Sequence, residues 1–451
     1  MYDIVIKNGL IISGCGNPWF KADIAIKDGK IVDMGEIPSS NGDIIIDASR
    51  KIVCPGFIDM HSHSDLFLLI NPKAESKIRQ GVTTEVIGNC GASLSPLKTD
   101  KIEIFKKRIG VLAEEVNWDW RSYSDYISKL ESQGISINVA PLIGHGTLRI
   151  NVMEFEAREP TKDELDEMKA LLEESMKAGA FGISTGLIYT PGCYAKTEEI
   201  IELAKVSAKY GGIYATHMRS ESNWLIEAIE EAIRIGREAN IPVEISHMKA
   251  AGKRNWGKIK EALKIIEKAR DDGIEITCDF YPYTAGSTGL AACLPPWVHE
   301  GGIEEMLKRL QNLSIRNKIR YDIEKGIPGW ENLAGTAGWG NIVVVYCEKN
   351  KQYEGKSIAE IAKEMKTDPL NAMCDLLIEE EGVVSIVLHM MSEDDMRNIM
   401  KNPLSMVGTD GSCYAPYGPL ARGKPHPRNY GTFPRILGKY VRKEKILTLQ
   451  D

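Results

Sequence analysis

The chain has no stretch approaching the roughly 18 to 20 uninterrupted apolar residues of a membrane span, and Met1 to Ile12 carries no signal-peptide pattern. It also lacks a long basic run. Its 56 lysines and arginines stand against 63 aspartates and glutamates, a net charge of −7 with the histidines neutral. Nucleic acid and anionic membrane surfaces are therefore poor partners for it. No C-x-x-C pair occurs among its nine cysteines, Cys15, Cys54, Cys90, Cys193, Cys278, Cys293, Cys347, Cys374 and Cys413. An odd, scattered set argues against a disulfide framework and for a reducing, cytoplasmic compartment. No internal repeat or low-complexity segment stands out.

What is present is a long globular chain. At 451 residues and 43% apolar content it can bury a full core. Residues 1–58 read as a small, mostly antiparallel β domain. Tyr2 to Lys7 alternates, Asn8-Gly9 predicts a turn, and Asp23 to Lys27 predicts a strand ending at Asp28-Gly29. From Cys54 the rhythm changes to short apolar strands alternating with amphipathic helices. The strands are Gly56–His61, Val82–Cys90, Ile137–Ile143, Ala180–Thr185, Gly212–His217, Pro242–His247, Glu275–Tyr281 and Ser405–Asp410. Thr161 to Ala178 predicts a helix, with Leu165, Met168, Leu171, Leu172 and Met176 on one stripe. Eight strands with helical connections predict an α/β fold: a TIM-like (β/α)8 barrel over residues 59–445, beside a small N-terminal β-sandwich domain. The connection after strand seven is too long for a loop. Residues 285–403 are expected to form an insertion within the barrel, a lid over its mouth.

A barrel of this kind places chemistry at the C-terminal strand ends, and four of the eight histidines fall there. His61 and His63 end the first strand two residues apart, on one side, so both imidazoles can converge on a metal ion. His217 ends the fifth strand, His247 the sixth and Asp410 the eighth. Cys90 ends the second and points into the same mouth, where a nearby metal ion favours its thiolate. Imidazole with thiolate is a zinc-like set, iron and cobalt being chemically acceptable substitutes. Asp65 more naturally orders the first loop. Arg149 and Arg219, just past strand ends, read as structural ion-pair partners.

These motifs resemble the amidohydrolase superfamily, specifically the D-aminoacylase (N-acyl-D-amino-acid deacylase) family, over nearly the whole chain. The resemblance rests on Pro55-Gly56-Phe57-Ile58-Asp59-Met60-His61-Ser62-His63-Ser64-Asp65, on Gly88-Asn89-Cys90-Gly91 and on Gly182-Ile183-Ser184-Thr185-Gly186-Leu187-Ile188-Tyr189. It continues through Ser246-His247-Met248-Lys249, Tyr281-Pro282-Tyr283, Gly408-Thr409-Asp410-Gly411 and His426-Pro427-Arg428. The fourth strand has no lysine, unlike the cyclic amidohydrolases that carry a carbamoylated lysine there. The resemblance implies that Cys90, His217 and His247 hold one tight Zn2+, with His61, His63 and Asp410 around a second, weaker position. It implies Asp410 as general base and acid in hydrolysis of a small-molecule N-acyl-D-amino acid. It nominates Lys249, Tyr281 and Arg428 for the substrate carboxylate, with Tyr283 and Ser287 beside them. His145, from its place after the third strand, reads either as a group that helps bind the carbonyl oxygen or as a structural loop histidine. A dipeptidase acting on D-residues, a cyclic amidase and a non-catalytic scaffold are the competing readings. Family chains normally continue with strands that return to the N-terminal sheet, so that domain is expected to lack them. The segment Ser412 to Lys424 is longer than in the best-known members. Leu447-Thr448-Leu449-Gln450 predicts the start of another helix.

Overall fold

The computed structural model describes residues 1–451, which divide into two compact units, Met1–Phe57 with Pro434–Asp451, and Ile58–Phe433. The second boundary falls earlier than residue 445, because the C-terminal segment groups with the first 57 residues.

In the smaller unit β1 (Tyr2–Ile11), β2 (Phe20–Lys27), β3 (Lys30–Gly35), β4 (Gly42–Asp47) and β5 (Ile52–Val53) form a single sheet. One sheet rather than two means that the strands do not make the expected sandwich. The sheet is mixed: β2 pairs antiparallel with β1 and β3, while β1 pairs parallel with β4 and β5. Asp28-Gly29, both at positive φ, joins β2 to β3 in the predicted tight hairpin. Asn8-Gly9 does not turn the chain. Asn8 sits at φ 62°, the register with β2 shifts there, and the strand continues to Ile11. The same dipeptide serves a bulge as well as a turn. Leu447–Gln450 forms no helix.

In the larger unit the eight expected strands all appear, one of them broken by Leu142. They are β6 (Phe57–Asp59), β7 (Val82–Ile87), β8 (Asn138–Pro141) with β9 (Ile143–Gly144), β10 (Gly182–Gly186), β11 (Ile213–His217), β12 (Val243–Ile245), β13 (Ile276–Phe280) and, after the insertion, a strand at Ser405–Val407. They lie in two runs, β6-β7-β8 and β9 through β13 to Ser405–Val407, with every pairing from β7 onward parallel. An isolated parallel bridge links Ser62 to Gly411. Helices connect them. The helix Lys162–Lys177 begins in a capping box between Thr161 and Glu164 and buries Met168, Leu172 and Met176.

The long insertion is a folded body. β14 (Ala285–Gly289), β15 (Ile342–Tyr346) and β16 (Ser385–His389) make an antiparallel sheet in the order β14-β16-β15. Its apolar cluster includes Leu290, Val298, Leu310, Ile361 and Leu376, all buried. No helix of the chain is long and apolar enough to cross a membrane.

Candidate metal centre and substrate cavity

The strand ends of the larger unit bring six donor side chains together. Cys90 Sγ stands 3.3 Å from His61 Nε2, 3.4 Å from His247 Nε2 and 3.7 Å from His217 Nδ1. Asp410 Oδ1 lies 3.1 Å from His63 Nε2 and 3.6 Å from His61 Nε2. The backbone enforces this convergence. His63 N donates to Gly411 O, and Asp410 N donates to His61 O, at 2.9 and 2.8 Å. Cys90, His247 and Asp410 all hold positive φ, at 52°, 35° and 48°. Non-glycine residues rarely adopt that region, and such strain gathers at functional sites. Gly186 makes room for it: a Cβ there would meet the Cys90 carbonyl oxygen at 2.2 Å.

Electrostatics favour an ion. Burial, the largest influence, pushes the Cys90 thiol up, but the charges of His61 and His247 with hydrogen bonds from His217 and His247 outweigh it, leaving it well below the ordinary thiol range. The thiolate is therefore the expected form, and His217 Nε2 is buried without a hydrogen-bond partner. Asp410 is likewise buried, yet Arg428, His247, His63 and His61 hold it well below the ordinary carboxylate range. Three groups, His61–Cys90–His247, His61–His63–Asp410 and His217–Glu221–His247, each keep their donor atoms within 4.8 Å of one another. A soft thiolate with imidazoles fits zinc, and the histidine–carboxylate corner fits a second divalent ion.

Outer partners fix the rings. His61 Nδ1 meets Asp279 Oδ2 at 3.1 Å, and His247 Nδ1 meets Glu221 Oε1 at 2.8 Å. Such carboxylates orient imidazole ligands and set their tautomers. Sequence reasoning missed both. Glu221 had one faint signal, its place four residues after His217. Beneath the site, buried Lys77 reaches Asp59 at 2.6 Å, Glu85 at 3.1 Å and Thr409 Oγ1 at 2.7 Å, tying the first strand end to the last.

The substrate candidates divide. Lys249, Tyr281, Ser287 and Arg428 line a cavity of about 440 Å3 that also exposes His63, Cys90, His217, His247 and Asp410. Two of the three nominated to bind a carboxylate are already engaged. Arg428 Nη1 donates to Asp410 Oδ2 at 2.7 Å, and Lys249 pairs with Glu221. Tyr189 also lines the cavity, its ring edge on His217 at 5.0 Å. His145 and Tyr283 lie outside this wall. His145 is fully buried with Nε2 on Glu199 at 2.8 Å, in a cluster where Arg149 also pairs with Glu199. The Tyr283 ring stacks edge-on against His426. Arg219 pairs with Glu231 and Asp65 accepts from Gly88 N, as structural roles require.

Imidazoles, a thiolate and a carboxylate gathered at the parallel strand ends of an α/β fold define a candidate metallohydrolase centre. Residues 45–427 match the profile of the Amidohydrolase family. The chain is 34% identical over 451 residues to a D-aminoacylase of Alcaligenes xylosoxydans xylosoxydans, spanning 100% of this chain and 81% of the relative. It is 33% identical to an N-acyl-D-aspartate deacylase of the same organism, over 99% of this chain and 79% of the relative. Among solved structures it superimposes with a TM-score of 0.81, at 31% identity over 100% of this chain and 83% of the other, on N-acyl-D-glutamate deacylase from Bordetella bronchiseptica, complexed with zinc and a phosphonate mimic of the tetrahedral intermediate. The chain belongs to the amidohydrolase family and, within it, to the D-aminoacylase group of amide-hydrolysing enzymes.

Proposed function

We propose that this protein is a zinc-dependent deacylase that hydrolyses N-acyl-D-amino acids to a carboxylate and a free D-amino acid. The observation that carries the reading is the Cys90 thiolate held among His61, His217 and His247 with Asp410 alongside. Cys90, His217 and His247 would hold the tight ion, and His61, His63 and Asp410 the weaker one. When bound, zinc supplies a Lewis acid for the amide carbonyl and a water acidic near neutral pH.

The chain's own groups supply the rest. Arg428 anchors Asp410 Oδ2 and leaves Oδ1 facing the histidines. Asp410 is therefore ionised, oriented and ready to take the proton of the attacking water and deliver it to the leaving nitrogen. Lys249, Tyr281 and Arg428 share the wall that receives the substrate α-carboxylate. Their existing pairing with Glu221 and Asp410 means the incoming carboxylate joins networks already charge-balanced.

We also read the parallel strands of the larger unit, Ile58–Phe433, as one eight-stranded barrel. The single residue between β8 and β9 and the Ser62–Gly411 bridge support closure at both breaks. Residues 285–403 act as a cover, since Ser287, Leu294, Met306, Leu388 and Met390 of that segment line the cavity. Amine release by zinc-loaded protein from paired N-acetyl-D- and N-acetyl-L-amino acids tests the function. Turnover of the D series is expected. Equal turnover of the L series, or none of either, refutes it.

A further inference from the structure

The cavity holds one cation that nothing neutralises. Arg108, on the helix Ile102–Ile109, lines both the cavity beside the donor cluster and a second lobe of about 460 Å3 that shares His63, Asp410 and Arg428 with it. Every other fixed charge nearby is paired. Arg428 meets Asp410, Lys249 meets Glu221, and Arg422 lies between Glu115 and Glu348. On the same helix, Lys106 pairs with Glu103 and Lys107 with Glu304. Arg108 makes no salt bridge or hydrogen bond. The Phe155 ring centre lies 5.7 Å from its guanidinium carbon. Partial desolvation lowers its pKa with no counter-charge to oppose it. The side chain is exposed, and it lines the cavity.

The surroundings sharpen the point. Ile188, Phe155, Leu294, Ile303, Met306 and Leu333 make much of the wall away from the donor cluster apolar. An anion entering beside this wall meets a guanidinium with no carboxylate of the protein already on it. Arginine presents a planar fork that matches a carboxylate.

We propose that Arg108 receives a second carboxylate of the substrate, selecting dianionic N-acyl-D-amino acids in which the extra carboxylate sits on the D-side chain or at the far end of the acyl group. The inference rests on the deacylase reading for the identity of the substrate, and it assigns the α-carboxylate to other residues.

The test compares zinc-loaded wild type with Arg108→Met and Arg108→Lys. The substrates are N-acetyl-D-glutamate against N-acetyl-D-glutamine, and N-succinyl-D-leucine against N-butanoyl-D-leucine. Wild type is expected to favour one dianion over its neutral counterpart in kcat/KM. Arg108→Met should lower that preference by roughly 10- to 100-fold, mainly through KM, with partial rescue by Arg108→Lys. The favoured pair reveals where the carboxylate sits. An absent preference, an unchanged ratio in the variant, or an equal loss on all four substrates overturns the proposal. Should no N-acyl-D-amino acid be turned over, the deacylase reading fails by itself. Calorimetric binding of succinate and glutarate to the zinc-loaded proteins then decides the role of Arg108. Weaker binding to Arg108→Met sustains it, and equal binding refutes it.

Discussion

The two units of this chain treat water in opposite ways. In the smaller one, Ile31, Val32, Met34, Ile44, Ile45 and Ile46 lie open on the edge strands β3 and β4, while its apolar cluster centres on Val5, Ala25 and Ile37. In the larger one, Asp59, Lys77, Glu85, Glu244, Asp279 and Asp410 are buried. Hydrophobic transfer alone would have sorted these residues the other way. The contrast teaches that the larger interior is organised by its chemistry. Each of these six is a donor in the candidate centre, holds such a donor, or ties together the strand ends that carry them, Glu244 excepted, which bonds Thr277. The smaller unit has no such task, and its edge strands are simply apolar.

The largest break in that contrast should come at Asp410. Asp410→Asn keeps the shape and removes the proton acceptor, so turnover should fall roughly 1,000-fold. Zinc content measured by atomic absorption should persist if Cys90, His217 and His247 hold the tight ion. Retained turnover would remove Asp410 from the mechanism. Next come two matched lysines. Lys77→Met strands Asp59 and Glu85 in the interior and should cost about 3–5 kcal/mol in urea unfolding. Lys7→Met in the smaller unit also deprives a carboxylate, Asp23, of its lysine, but Asn8 N and Ile37 N still donate to it. It should cost only about 1–2 kcal/mol. Equal losses would mean that burial depth does not separate the two pairs.

A third expectation concerns acid. Burial, aided by the charges of Arg108 and Arg309, depresses His299 to about 4 against an ordinary 6.5. The unfolded chain therefore takes up a proton that the native state refuses as pH falls from 6.5 to 4. Stability contributed by the neutral ring is complete above pH 6.5 and is lost toward pH 4, by about 2–3 kcal/mol. His299→Phe should flatten that part of the pH profile of unfolding. A slope unchanged from wild type would assign the acid sensitivity elsewhere.

Much of this was legible in the chain, for identifiable reasons. Strand periodicity puts His61 and His63 on one side, and strand ends predict where His217, His247, Cys90 and Asp410 fall, so the donor cluster follows from one-dimensional pattern. Glu221, Asp279 and Arg108 do not follow. Their roles exist only once loops and neighbouring strands have brought them near a ring or a cavity, and a lone acid or arginine in a sequence looks like solvated surface. β14 escaped notice because Ala285-Gly286-Ser287-Thr288-Gly289 has no apolar alternation, and it becomes a strand through pairing with β16. His145 looked like a site residue from its place after the third strand, but Glu199, 54 positions away, claims its Nε2.

The smallest expected effect is the most direct probe of the comparison. Val32 and Ile45 are 51% and 42% exposed, whereas Val5 in the same sheet is 0% exposed. Val32→Thr and Ile45→Thr exchange an apolar group for a hydroxyl that water can reach, with little change in strand propensity, so each should move unfolding stability by less than about 0.5 kcal/mol. Both should improve solubility, because long apolar edge strands template association. Val5→Thr places the same hydroxyl in the buried cluster, where it should cost about 1–3 kcal/mol for want of a partner. Urea titrations and light scattering on the three variants separate the cases. If Val32→Thr or Ile45→Thr destabilises as much as Val5→Thr, then that strand's apolar side chains are covered in solution, and the contrast between the two units is narrower than their exposures indicate.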